Sequence, residues 1–224
     1  MIINVFSDTH LITLFNKKKH DKILHIIETC DKVIINGDFW DAFRISFDKF
    51  LKSKWKRLFK PLKEKDCVYI FGNHDPESFS DERVAEFCNV ATHSYEMEFN
   101  GHKYVFQHGH NISLCPDISL PFIDKTKVQH FIYHIFYLSQ FILYKLTKTF
   151  YYLILGFKPE KQMRKWQKNN LDEKTVLITS HTHYGRLDIK NKFVNTGMNY
   201  LGTFQYIQLD TSKVFPDNIS LKAI

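Results

Sequence analysis

The chain has 224 residues, 44% hydrophobic and 25% charged, with only 8 Gly and 6 Pro, which excludes a disordered or low-complexity polypeptide and fits one packed domain, residues 1–224. The formal net charge of +7 is concentrated: nine Lys/Arg from Arg44 to Lys65 face only Asp48 and Glu64, and nine from Asn111 to Asn170 face only Asp117, Asp124 and Glu160. Basic stretches of this kind attract polyanions or an anionic bilayer.

In chain order, Ile2 to Ser7 reads as a short buried strand, and Asp21 to Cys30 as a helix with Ile23, Leu24, Ile26 and Ile27 on one stripe. Val33 to Asn36 is the next strand, stopped by Gly37. Phe47, Leu51, Trp55, Leu58 and Leu62 recur at helical spacing and predict an amphipathic helix with a lysine-rich outer face, packed on the core. Val68 to Phe71 is a third strand, and Asp81 to Cys88 a short helix. This alternation predicts a parallel first half with right-handed crossovers. Tyr95–Phe99 and His102–Gln107, joined by Asn100-Gly101, predict a hairpin. Val176–Thr179, Arg186–Ile189, Phe193–Asn195 and Phe204–Leu209 read as consecutive strands of a second sheet. Two packed sheets with helices outside are therefore expected.

Between the hairpin and those last strands, residues 111–170 read as a helical insertion. Val128 to Phe157 holds ten aromatics, yet Gln129, His130, His134, Ser139 and Gln140 interrupt it before Lys145 and Lys148. A spanning helix needs about 20 mostly apolar residues, so the expectation is a set of amphipathic helices acting as a lid or facing an anionic membrane.

The chemistry is concentrated where strands end. Asp8-Thr9-His10, Gly37-Asp38-Phe39-Trp40-Asp41, Gly72-Asn73-His74-Asp75, His108-Gly109-His110 and Ser180-His181-Thr182-His183 each follow an apolar run. Strand C-terminal ends are where α/β sheets place ligands. A single histidine after a strand is usually a loop residue; five such motifs in phase point to one site. Carboxylates, imidazoles and an amide without thiolate suit two Mn ions, with Fe or Zn as alternatives, and argue against a cysteine-bound zinc. The cysteines Cys30, Cys67, Cys88 and Cys115 stand far apart and read as free thiols of a reducing compartment. With such residues already at position eight, a cleavable leader is not expected, and the placement expected is cytoplasmic, at most peripheral on the inner face of the membrane.

In this order the motifs resemble those of the calcineurin-like metallophosphoesterase superfamily over nearly the whole chain. The resemblance implies a four-layer α/β/β/α sandwich with an α-helical lid, and a hydrolase that cuts phosphate esters with metal-activated water. It also implies that Asp8, His10 and His183 hold one metal, that Asn73, His108 and His181 hold the other, and that Asp38 bridges them. His74 would assist the leaving group, with Asp41 orienting its ring or capping the next helix. Asp75 reads as a turn residue before Pro76, and His110 as a loop histidine. The last motif usually opens with Gly, where this chain has Ser180.

His108-Gly109 followed by a basic, aromatic insertion resembles the bacterial UDP-2,3-diacylglucosamine hydrolases, although those enzymes commonly carry Arg where His74 stands and Asp where His110 stands. The expected substrate is thus a lipid-linked phosphodiester or nucleotide-sugar pyrophosphate. A nucleotide or nucleic-acid phosphodiesterase is the alternative, less favoured because the basic residues are interleaved with a greasy run. A non-catalytic scaffold ranks behind both, since every ligand type is present.

Overall fold

The computed structural model describes residues 1–113, 135, 138–139, 142–143, 146–147 and 149–224. β1 (Ile2–Phe6), β2 (Lys32–Asn36) and β3 (Val68–Ile70) are short, β-rich and almost wholly buried, as strands covered on both faces must be. They pair in parallel, and β4 (Val90–Thr92) extends the sheet at one edge. At the other edge β10 (Gln205–Asp210) runs antiparallel to β1, with Ile2 opposite Asp210, and β11 (Ile219–Ala223) follows it. The first sheet is therefore ordered β11-β10-β1-β2-β3-β4. The expectation that Phe204–Leu209 joins the second sheet is corrected here. Its apolar alternation was legible, but the free edge of β1 is its partner.

The second sheet is ordered β5-β6-β7-β9-β8. β5 (Tyr95–Phe99) and β6 (His102–Phe106) form the expected hairpin, and both turn residues, Asn100 and Gly101, take positive φ. β6, β7 (Thr175–Thr179) and β9 (Phe193–Asn195) are parallel, while β8 (Arg186–Asp188) closes the edge antiparallel.

Alternating side chains divide the core into three. Ile3, Val5, Ile34, Val68 and Ile70 of the first sheet meet Tyr104, Phe106, Val176, Ile178 and Val194 of the second. The other face of the first sheet packs on α1 (Lys17–Glu28), α2 (Phe47–Leu51) and α3 (Phe59–Glu64), through Ile23, Ile27, Phe50, Trp55 and Leu62. Asn16 caps α1, accepting from the Lys19 amide at 3.0 Å. The outer face of the second sheet is covered by α4 (Thr149–Asn170), whose Met163 is fully buried on Val105, Leu177 and Phe193. Arg164 ties this helix to Asp188, and Arg186 reaches back to Glu160 at 3.1 Å. The result is a four-layer α/β/β/α sandwich.

The single helix expected from Phe47 to Leu62 is α2, a 3₁₀ turn (Lys54–Leu58) and α3 in succession. Ser46 and Ser53 each accept from a backbone amide ahead and restart the chain. The segment Asp81 to Cys88 is likewise a 3₁₀ turn, Glu82–Glu86. Of the lid expected in residues 111–170, residues 114–134 and part of 136–148 fall outside the described residues. Within them, Ile135, Leu138, Ile142, Leu143 and Leu146 are exposed, whereas the last third of α4 packs on the sheet.

Candidate metal centre

The C-terminal ends of β1, β2, β3, β6 and β7 all open on one edge of the sandwich. The first two loops are zipped together: Asp8 N–H donates to the Gly37 carbonyl at 3.1 Å, and the Thr9 and His10 amides to that of Asp38. Asp8, His10, Asp38, His181 and His183 all have φ between 43° and 70°. A left-handed conformation at a non-glycine residue costs free energy and gathers at functional sites.

Polar atoms converge there on buried side chains, Asp8, His10, Asp38, His108 and His181 among them. Asp8 Oδ1 is 3.1 Å from His183 Nε2, which is 3.4 Å from His10 Nε2. Asp38 Oδ2 lies 3.8 Å from His10 Nε2 and 3.3 Å from His108 Nε2, so one carboxylate stands between two groups of side chains. His108 Nε2 is also 3.0 Å from Asn73 Oδ1. Donor atoms of Asp8, His10 and His183 lie within 4.8 Å of one another, as do those of Asp8, Asp38 and His108, and those of His10, Asp41 and His74. His181 sits beside this set, its ring 5.1 Å from that of His108, but it joins none of these three groups.

Electrostatics fit a cation site. Burial, then the charge of His74, holds His10 down at about 4, leaving a neutral imidazole with a lone pair. His10 Nδ1 is buried with no hydrogen-bond partner. For His108 burial works downward, but the Asp38 and Asp8 carboxylates outweigh it and raise the group to about 9. Burial likewise opposes ionisation of Asp38, yet the surrounding imidazoles keep its carboxyl well below the ordinary range. Ring nitrogens and carboxylate oxygens aimed at one another need a proton or a divalent ion between them. An oxygen-and-imidazole donor set without thiolate suits the latter.

Residues 1–201 match the calcineurin-like phosphoesterase superfamily domain. The chain belongs to that superfamily. It is accordingly a metal-dependent phosphoesterase. Among solved structures, an archaeal phosphodiesterase superposes over 100% of both chains with a TM-score of 0.55 at 18% identity, a likeness of fold. The Yfce phosphoesterase from E. coli follows at 0.48 and 14% over 100% of both chains. Vacuolar Protein Sorting 29 from Cryptosporidium parvum gives 0.48 and 13%, over 100% of this chain and 97% of its own. No curated protein matches the chain significantly.

Around the superfamily motifs the surrounding hydrogen bonds are specific. His74 N–H donates to Asp38 Oδ1 at 2.8 Å, and its Nδ1 is 3.4 Å from Asp41 Oδ1. Asp41 also accepts from the Phe43 amide at 3.2 Å, so it both orients the ring and caps the turn. His108 Nδ1 lies 2.9 Å from the Asn36 carbonyl, which fixes the tautomer and leaves Nε2 for the site. Ser180, the departure from the usual Gly, places its Oγ 2.6 Å from that same carbonyl and 2.9 Å from His108 Nδ1.

Sequence reasoning undervalued two residues. Asp75 is fully buried and accepts from the amides of Gly72, Asp38 and Phe39 at 2.6–2.9 Å, pinning the second loop to the third. Ser7 donates to Asp8 Oδ2 and lies 2.6 Å from Thr196 Oγ1, which joins the Asn195-Thr196-Gly197 turn to the first ligand. Nothing in Gly-Asn-His-Asp distinguishes a buried acceptor from an ordinary turn aspartate. The glycines were legible as strand stops, but their reason is steric. A Cβ on Gly72 would stand 2.1 Å from Asp38 Oδ1, and one on Gly37, at φ +89°, 2.2 Å from His108 Nδ1.

Proposed function

We propose that this chain hydrolyses a phosphodiester or pyrophosphate bond, in a lipid-linked or nucleotide-sugar substrate, with two divalent ions. Asp8, His10 and His183 would hold one ion, Asn73, His108 and His181 the other, and Asp38 both. The observation that carries the reading is the position of Asp38 Oδ2, within 3.8 Å of His10 Nε2 and 3.3 Å of His108 Nε2. Such a pair of ions turns water into a nucleophile at neutral pH and neutralises charge on phosphoryl oxygens.

The protein's own groups do the rest. His74, held at Nδ1 by Asp41 and at its amide by Asp38, is set to donate a proton from Nε2 to the leaving oxygen. Asn36 and Ser180 hold the His108 ring. Phe43 packs against His74 at 4.7 Å and narrows access of water. The lipid part of the proposal is supported by Ile135, Leu138, Ile142 and Leu146, exposed and spaced as one helical face beside a basic α4. Among the described residues no helix is long and apolar enough to cross a membrane, so contact would be peripheral.

The test is hydrolysis of bis-p-nitrophenyl phosphate with added Mn, beside an acylated and an unacylated UDP-sugar. Asp38→Asn is expected to lower diester turnover by more than about a hundredfold, beyond the effect of losing an outer hydrogen bond. The acylated sugar should be preferred. Diester activity retained in Asp38→Asn would remove the bridging role, and equal use of both sugars would remove the lipid.

A further inference from the structure

Beside His10 and Asp41 stand two cations and a phenol that the chemistry above does not use. Lys19, in the first turn of α1, turns its Nζ inward to donate to the Thr9 carbonyl, and the same Nζ lies 5.1 Å from the centre of the Tyr200 ring. Tyr200 stands edge-on to His10 at 5.6 Å, and burial raises its phenol while the nearby charge of Arg44 works the other way. Arg44 is held one turn beyond Asp41, its amide on the Asp41 carbonyl at 3.0 Å. All three side chains belong to partly buried residues. Burial, then the charge of Arg44, draws the Lys19 ammonium down to about 7, with Asp41 pulling the other way. That carboxylate is shared with His74.

Like charges crowded in a half-buried wall destabilise the free protein. A lysine needed only to fasten α1 to the Thr9 carbonyl would do so without an arginine beside it, whereas an anion between the two cations would relieve their repulsion. We infer that Lys19, Arg44 and Tyr200 form an anion subsite, one aromatic ring away from His10, for a second phosphoryl group that the substrate carries beyond the bond being cut. The inference rests on the phosphodiesterase reading for the position of the scissile group. An ammonium, a guanidinium fork and a phenolic O–H together offer donors on several sides of one tetrahedral oxyanion. Adjacent phosphoryl groups share a bridging oxygen. A diphosphate with one phosphorus among Asp8, His10 and Asp38 therefore carries its neighbour to the next wall, and a simple diester leaves that wall unused. The subsite selects diphosphate esters over monophosphate diesters.

Two measurements on the full chain test this. In the first, inorganic phosphate is titrated into chelator-treated protein by calorimetry. Arg44→Gln and Lys19→Met should each weaken binding by about tenfold or more, the loss of a hydrogen bond to a charged group. Arg44→Lys should retain most of the affinity, which separates charge from folding. In the second, the Mn-loaded enzyme's kcat/KM for UDP-glucose is divided by that for bis-p-nitrophenyl phosphate. The ratio should drop at least about tenfold from the wild type to Arg44→Gln. Phosphate affinity equal to wild type in both neutral variants overturns the subsite. A ratio that Arg44→Gln leaves unmoved does the same, because a merely structural role lowers both substrates together. Wild-type protein with no diester activity under any divalent metal refutes the phosphodiesterase reading instead, while the phosphate titration of metal-free protein still decides the subsite.

Discussion

The two sheets contribute to one edge but are supported differently. Asp8, His10, Asp38 and Asn73 leave strands of the first sheet, whose outer face rests on three helices and a dense aromatic layer of Phe39, Trp40, Phe50, Phe59 and Phe87. His108, His181 and His183 leave the second, whose outer face depends on α4 through Met163 and the Arg164–Asp188 pair. One half of the site therefore stands on a thick local core. The other depends on a helix that begins inside residues 111–170. Changes in the segment that leads into α4 are thus expected to reach the three histidines of the second sheet.

That contrast can be broken from either side. On the first sheet, Gly72→Ala drives a methyl into Asp38 Oδ1 and to 2.6 Å from the Asp38 amide, neither of which is a flexible chain end. Strain of about 1–3 kcal/mol or more is expected, with loss of diester activity at least as large as any loss of stability. Chemical denaturation run beside the activity assay checks it, and normal activity in a fully folded variant would show that the third loop is not clamped to Asp38. On the second sheet, Met163→Ala opens a cavity under Val105, Leu177 and Phe193 and beside Gly109. It should cost about 2–4 kcal/mol by denaturant melting. A loss under 1 kcal/mol would mean that α4 is not the cover of that sheet. Ser180→Gly gives the smallest effect. It removes one partner of His108 Nδ1 but leaves the Asn36 carbonyl, so about 1 kcal/mol and a severalfold change in metal affinity are expected. An unchanged metal affinity would make the serine a spacer.

What the sequence disclosed follows the same division. Buried parallel strands announce themselves as apolar runs, and their ends gave Asp8, Asp38, Asn73, His108 and His181 without ambiguity of position. β4 stayed hidden because Val90–Thr92 is short and half exposed, with no alternation to read. β10 was found as a strand but assigned to the wrong sheet, since its partner β1 lies about two hundred residues earlier and nothing local encodes that pairing. Trp55, Leu58 and Leu62 kept a helical rhythm through a break that only Ser53 marks. The left-handed backbone at Asp8, His10, Asp38, His181 and His183 could not be read, because glycine is the residue that usually advertises it. Lys19, Arg44 and Tyr200 meet only in three dimensions.

Everything in the catalytic account depends on Asp38 being shared between two cations. Calorimetric titration of Mn into chelator-stripped wild-type protein, repeated on Asp38→Asn, tests that most directly. Two ions bound per wild-type chain, reduced to one or none in the variant, is the predicted result. A wild-type chain that binds fewer than two, or a variant that still binds two with undiminished affinity, would contradict it.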